Sequence, residues 1–283
     1  MNVGVGLPNT TANIERDLVI RWAQQADVGL FSALGVFDRL VYGSYEPLAT
    51  LAAAAALTNR IRLATTIAIG PLRNTAMLGK SAATVDALSG GRLTLGLAVG
   101  ARRDDYEAAG VPYHQRGQIL TEQLIALRNQ WEDGQIGPEP VQPGGPPLII
   151  GGMSDIVFAR AARYADGYIH GGGPPRAFAW VAEKARAAWS DAGRPGRPQL
   201  WAQGYYALGD DTAVETGRNY LRDYYAFTGP FAEKIAEGLL TTPQAIAQFI
   251  GGYADAGCDE LILYPTISSL DQLDRLAEVV AKH

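Results

Sequence analysis

Eight short β-rich runs, each followed by a helical pattern, succeed one another along the whole chain, and this alternation restricts the fold more than any single motif does. Val3 to Leu7 reads as a strand, with a helix from about Ala12 to Ala26, and Leu30 to Leu34 precedes an alanine-rich helix over Leu48 to Leu57. Ile61 to Ile69 leads to a helix over Asn74 to Leu88, and Leu93 to Val99 leads through a loop to a helix over Ile119 to Trp131. Leu148 to Ile150, Gly167 to His170 and Leu200 to Leu208 open the next three units, with helices over Asp155 to Tyr164, Pro175 to Asp191 and Asp211 to Tyr225. Glu260 to Tyr264 and Leu270 to Ala281 close the series. Eight β-then-α units in 283 residues predict a single-domain α/β chain folded as a (β/α)8 TIM barrel with loop insertions. The competing doubly wound sheet lacks its fingerprint, since no G-x-G-x-x-G follows the first strand and no phosphate-loop motif occurs. Gly134 to Pro147 reads as a loop between half-barrels, and residues 226–241 as an inserted helical excursion before a helix that starts near Thr242.

A formal charge of -5 leaves no broad basic surface for nucleic acid. One cysteine, Cys258, excludes an internal disulfide framework and fits a small core residue. The start, MNVGVGLPNTT, has no basic segment followed by a long apolar run, so the expected location is cytoplasmic. The most apolar stretch, LATLAAAAAL, is far shorter than the roughly 20 residues that span a bilayer. Being apolar nearly all round, this second helix calls for cover on two sides, and a partner subunit is the leading candidate for the second.

In a barrel the chemistry gathers at the C-terminal ends of the strands. Those ends hold Leu7-Pro8-Asn9, Asp38-Arg39, Gly70-Pro71-Leu72-Arg73, Gly100-Ala101-Arg102-Arg103, Gly151-Gly152-Met153-Ser154, His170-Gly171-Gly172-Gly173, Gly209-Asp210 and Pro265-Thr266. Three histidines, one of them His283, cannot build a histidine-rich metal centre, so no metal is expected. The lysines, Lys80, Lys184, Lys234 and Lys282, lie in helical patterns, away from where a Schiff base would form. Paired carboxylates for glycoside hydrolysis are missing, because only Asp38 sits close to a strand end. A chain so poor in acids, bases and ligands points to an organic cofactor. Gly151 to Ser154 offers backbone N–H groups and a hydroxyl at a helix start, suited to a phosphate; a tight turn with Ser154 as helix N-cap is the alternative. Gly171 to Gly173 offers a second close approach for a phosphate or ribityl chain.

Thr58 to Gly100, with its LSGGR-L-x-LG segment at Leu88 to Gly96, resembles the central signature of the luciferase-like monooxygenase family. The likeness continues through Arg102 to Gly117, Pro146 to Ser154, Ala162 to Gly172 and Thr242 to Pro265, in order over essentially the whole chain. It implies FMN, or in related branches the 5-deazaflavin coenzyme F420, at the C-terminal face of the barrel. It also implies a homodimer packed through helices that include the second and third. A non-prolyl cis peptide at the end of the third strand is implied near Ile67-Ala68, so Thr66, Ile67 and Ala68 are expected against the ring. The phosphate is expected by Gly151, Gly152, Met153 and Ser154, with Gly171 and Gly172 beside them.

The departures from the family pattern carry information too. Many deazaflavin-dependent relatives have Asp-His where this chain has Asp38-Arg39, and the glutamate of sugar-oxidising relatives corresponds to Ala101. A sugar dehydrogenase is therefore disfavoured. The position of the luciferase arginine that contacts the flavin phosphate holds Val99, leaving Arg102 and Arg103 nearby as substitutes, and Gly100 and Arg102 are expected among the cofactor-binding residues. The leading expectation is a two-component monooxygenase using reduced FMN and oxygen on a small organic substrate, with a separate flavin reductase as partner. Hydride transfer with F420, a non-catalytic flavin-binding protein and a flavin-free isomerase or lyase are the alternatives. Asp38 and Arg39 are expected either to position substrate or to form a local salt bridge before Tyr42. His170 is expected either as a titrating group near the ring or as a histidine satisfied by backbone partners. Tyr106, His114 and Arg116 read as a solvated loop, with a lid as the alternative, and of Tyr205 and Tyr206 one is expected to face the barrel and the other the helices.

Overall fold

The computed structural model describes residues 1–11 and 14–282. Its strands are β1 (Asn2–Gly6), β2 (Ala33–Val36), β3 (Arg62–Ile69), β4 (Leu93–Ala98), β5 (Leu148–Gly151), β6 (Gly167–His170), β7 (Gln199–Tyr206) and β8 (Glu260–Pro265). They pair in chain order, all parallel, and β8 pairs with β1 to close the barrel. Around it lie α1 (Arg16–Val28), α2 (Pro47–Leu57), α3 (Thr75–Ser89), α4 (Arg103–Ala109), α5 (Arg116–Asp133) and α6 (Asp155–Tyr164). The ring continues with α7 (Pro175–Asp191), α8 (Asp211–Tyr224), α9 (Phe231–Glu237), α10 (Pro243–Asp255) and α11 (Leu270–Val280). The expected (β/α)8 architecture is the observed one, and β6, α6 and α7 fall on the residues predicted for them.

Some boundaries differ. The second strand starts at Ala33 rather than Leu30, whose side chain is 60% exposed. The first helix is observed from Arg16; Ala12 and Asn13, where it was expected to begin, and His283 lie outside the described residues. The segment after β4 is not a solvated loop. It folds as α4, with Asp104 and Asp105 in its first turn and Gly110 closing it in the left-handed conformation, followed by a 3-10 turn at Tyr113–Gln115. Tyr106 is buried there and donates to the Val99 carbonyl. The 226–241 excursion contains a 3-10 turn at Ala226–Thr228 and α9.

Alternate strand side chains face inward. Ala33, Ala64, Ile149, Ile169, Trp201 and Ile262 fill the barrel, while Leu34, Leu63, Leu95, Ile150, Tyr168 and Leu261 pack outward under the helices. Tyr264 lies across the interior, and only glycine at positions 6 and 35 admits it: a Cβ on Gly6 would stand 2.0 Å from its ring, and one on Gly35 2.5 Å from its hydroxyl. Tyr205 faces inward, whereas Tyr206 points to the helices and donates to the Gln272 carbonyl on α11 at 3.1 Å. On α2, Leu48, Leu51, Ala54 and Ala55 are buried and Ala49, Ala53 and Ala56 are exposed. Among the described residues no helix is long and apolar enough to cross a membrane.

Candidate active site

The C-terminal mouth of the barrel has two unlike halves. Over β7, β8, β1 and β2 it is aromatic: Phe37 stacks on Tyr264 with centroids 3.7 Å apart and lies 5.8 Å from Tyr205. The Tyr205 and Tyr225 hydroxyls meet at 2.5 Å, and Tyr224 packs edge-on to Tyr225 at 5.1 Å. Burial pushes the Tyr205 and Tyr264 hydroxyls well above their ordinary range, so both stay neutral. Over β3 to β6 the mouth is lined by small residues. Ile67 fits against β4 and β5 because Gly96 and Gly151 lack side chains: Cβ atoms there would stand 2.9 and 2.5 Å from it. A Cβ on Gly171 would meet nothing within 4 Å, and Gly171 is exposed.

The residues expected against the ring divide. Thr66 is buried, its hydroxyl bonded to that of Tyr264, and Ile67 is half-buried at the mouth. Ala68, by contrast, is fully buried in the helix-facing core and does not reach the mouth. The cis peptide at the end of the third strand is present, at Thr66-Ile67, one bond earlier than expected.

Asp38 and Arg39 do not form the local salt bridge considered above. Asp38 turns to β3: its carboxylate accepts from the Ile69 N–H at 2.7 Å and from Arg73 at 2.5 and 3.1 Å. Arg73 also reaches Glu46 at 3.0 Å, and Glu46 caps α2 by accepting from the Ala49 N–H. Burial acts to lower the Arg73 pKa, but Asp38 and Glu46 overcome it and the net shift is upward. Arg39 pairs with Asp104 at 3.2 Å and lies over the Tyr42 ring at 4.7 Å. Arg102 sits over Phe227 at 4.2 Å and Tyr224 at 4.6 Å and donates to the Tyr224 carbonyl at 2.8 Å, which commits it to the aromatic half rather than to the glycine-rich one. Tyr42 donates to Asp223 at 2.8 Å, tying the end of α8 to the loop after β2.

On the small-residue side, Gly152 has a φ of 139° and a Cβ there would stand 2.8 Å from Val157, so glycine is required on both counts. Gly100, also at positive φ, borders this side next to Ile69. Met153 and Ser154 are exposed at the rim. Ser154 occupies the N-cap position of α6, yet its hydroxyl makes no capping bond, so both it and the helix start are open to another acceptor. Gly172 is half-buried beside the Gln203 carbonyl. Sequence reading passed over Gln203, which the β7 pattern places inward between Trp201 and Tyr205, and over Arg73; a lone amide in an apolar strand was the available signal for the first.

His170 is not satisfied by backbone partners among the described residues. Alternation puts it on the helix side of β6, 1% exposed, with its ring 6.1 Å from Phe178 and, among the described residues, no hydrogen-bond partner on either nitrogen. Burial lowers its pKa from 6.5 to about 4. Between those values the unfolded chain binds a proton that the folded chain refuses, so stability is full above pH 6.5 and declines as the pH falls toward 4, by roughly 3 kcal/mol. Urea unfolding at pH 7 and pH 4.5 should show this slope in the native protein and a shallower one in His170→Phe; equal slopes would refute the assignment.

Residues 1–255 match the profile of the luciferase-like monooxygenase family. The chain belongs to that family. Its relatives vary in what they do. An uncharacterized protein of Mycobacterium tuberculosis is 36% identical over 174 residues, covering 56% of this chain and 60% of the relative. The chain thus spans less than two thirds of that relative's length. In fold, the chain superposes on monooxygenase RslO1 from Streptomyces bottropensis with a TM-score of 0.80 at 20% identity, over 100% of this chain and 99% of that one. It superposes equally on an F420-dependent secondary alcohol dehydrogenase in complex with an F420-acetone adduct, with a TM-score of 0.81 at 18% identity, over 99% and 98% of the two chains. Among the described residues no group of three or more His, Cys, Asp or Glu could hold a metal ion.

Proposed function

We propose that the protein is a two-component monooxygenase that uses reduced FMN and oxygen to oxygenate a small organic substrate. The reading rests on one observation: the inner face of the mouth is lined by Phe37, Ile67, Tyr205 and Tyr264, both tyrosines neutral, while Asp38, Arg39 and His170 are held elsewhere. Asp38 is neutralised by Arg73, Arg39 by Asp104, and His170 lies behind β6. Oxidising an alcohol by hydride removal needs a base for the hydroxyl proton, and among the described residues the mouth presents no free carboxylate or histidine; oxygenation instead profits from an enclosure that excludes water.

The residues fit the cofactor. The space at Gly171 and the half-buried Ile67 leave room for a planar ring, and the Gly151 to Ser154 turn, with its uncommitted hydroxyl, is built to hold a phosphate. When bound, reduced FMN supplies the electrons for oxygen activation. The chain's own part is to orient substrate between the ring site and the aromatic half and to keep water out. With no dinucleotide fingerprint, reduced flavin comes from a separate reductase. The exposed alanines of α2, and the groove that Ala49 and Ala52 form with Met77, Lys80 and Thr84 of α3, support a homodimer through these two helices. Fluorescence titration of the apo-protein with FMN and with the deazaflavin, each oxidised and reduced, tests the reading. Preferential binding of FMN is the expected result; preference for the deazaflavin would make the protein a hydride-transfer enzyme.

A further inference from the structure

Gln203 is buried, at 6% exposed, on the inward face of β7. Its Nε2 donates to the Gly171 carbonyl at 3.1 Å, and its Oε1 has no partner among the described residues. A buried amide oxygen left without a donor is unfavourable unless a ligand supplies one. Its place is telling, because the residue whose carbonyl it holds, Gly171, leaves open space at the mouth.

We propose that Gln203 is the acceptor for an N–H on the edge of the reduced isoalloxazine, and that it makes the site select reduced FMN over oxidised FMN. The inference rests on the FMN reading above and deepens it. The reduced ring carries an N–H at its central nitrogen; the oxidised ring carries a lone pair there, and a deazaflavin carries carbon. At that central position only the first can satisfy Oε1; the N–H between the two ring carbonyls is common to all three and would give no selection. Turning the amide over would set its oxygen against the Gly171 carbonyl, so the bond to Gly171 fixes which end of the amide is Oε1, and it is Oε1 that is left without a partner among the described residues. An acceptor facing a lone pair repels it, and one facing a C–H gains little. A monooxygenase fed by a reductase benefits, since it captures the reduced flavin and releases the oxidised one.

Anaerobic titrations of native protein, Gln203→Met and Gln203→Glu with FMN in both redox states test this, with the midpoint potential of bound FMN as a second readout. Methionine keeps the volume and removes the acceptor; glutamate, as the protonated acid donating to the Gly171 carbonyl, keeps both the donor and the acceptor. The native protein should bind reduced FMN more tightly than oxidised. Gln203→Met should lose about tenfold in affinity for the reduced form alone. That selective loss corresponds to a potential about 30 mV more negative. Gln203→Glu should keep the preference for the reduced form. Equal loss for both forms in Gln203→Met, or no loss, would overturn the role of Gln203 while leaving the FMN reading intact. A native protein that prefers the deazaflavin would overturn both.

Discussion

Gly171→Leu is expected to fold as the native protein does and to bind FMN about 100-fold more weakly, because the new side chain fills the space assigned to the ring. Folding should be unaffected on two grounds. A Cβ at this position meets nothing within 4 Å, and Gly171 is not among the glycines at positive φ. The carbonyl that Gln203 holds is also untouched by the substitution. Thermal unfolding checks the first half of the expectation and flavin fluorescence the second. Native affinity in a folded variant would place the ring elsewhere, and with it the division of the mouth into a cofactor half and an aromatic half.

Asp38→Ala should cost about 3–5 kcal/mol of stability, the usual consequence of stranding one member of a buried ion pair. The Asp38 side chain is 3% exposed and that of Arg73 19%, so water repairs little of the loss. Two donors lose their acceptor together, the Ile69 N–H and the Arg73 guanidinium. In thermal unfolding a loss of this size lowers Tm by about 10 °C. The double variant Asp38→Leu/Arg73→Met should recover much of that loss, since it removes the stranded charge along with its partner. A Tm fall of only a degree or two in Asp38→Ala would show that Arg73 finds sufficient compensation in Glu46.

The fold was legible because the period of the hydrophobic pattern switches eight times, and each switch is set locally by strand and helix sequences. The segment after β4 was misread for a local reason as well: α4 is seven residues long, rich in charge, and helical because of its acidic first turn and Gly110. The site was legible only in part. Gly151, Gly152 and Gly171 announce themselves through composition, but what they admit does not: Gly151 makes room for Ile67 of another strand, 84 positions away in sequence (151 − 67). Adjacent residues that look like a functional pair can also be pulled apart by partners far along the chain. Asp38 goes to Arg73, and Arg39 to Asp104, neither of which the local sequence specifies. His170 shows the same limit differently, since a histidine at a strand end reads as catalytic until alternation assigns it to the helix side.

The ladder between β1 and β8 joins Asn2 to Glu260 and Val5 to Leu263, so the contact that completes the barrel spans nearly the entire chain. Contacts so distant in sequence are paid for in loop-closure entropy before they return anything, and they form late. On the ribosome the first strand must therefore wait with its outer edge unpaired until about 260 further residues have emerged, at roughly 5–20 per second. For some tens of seconds the nascent protein is an open parallel sheet with two sticky margins, and its yield in a cell will depend on what shields those margins during that interval.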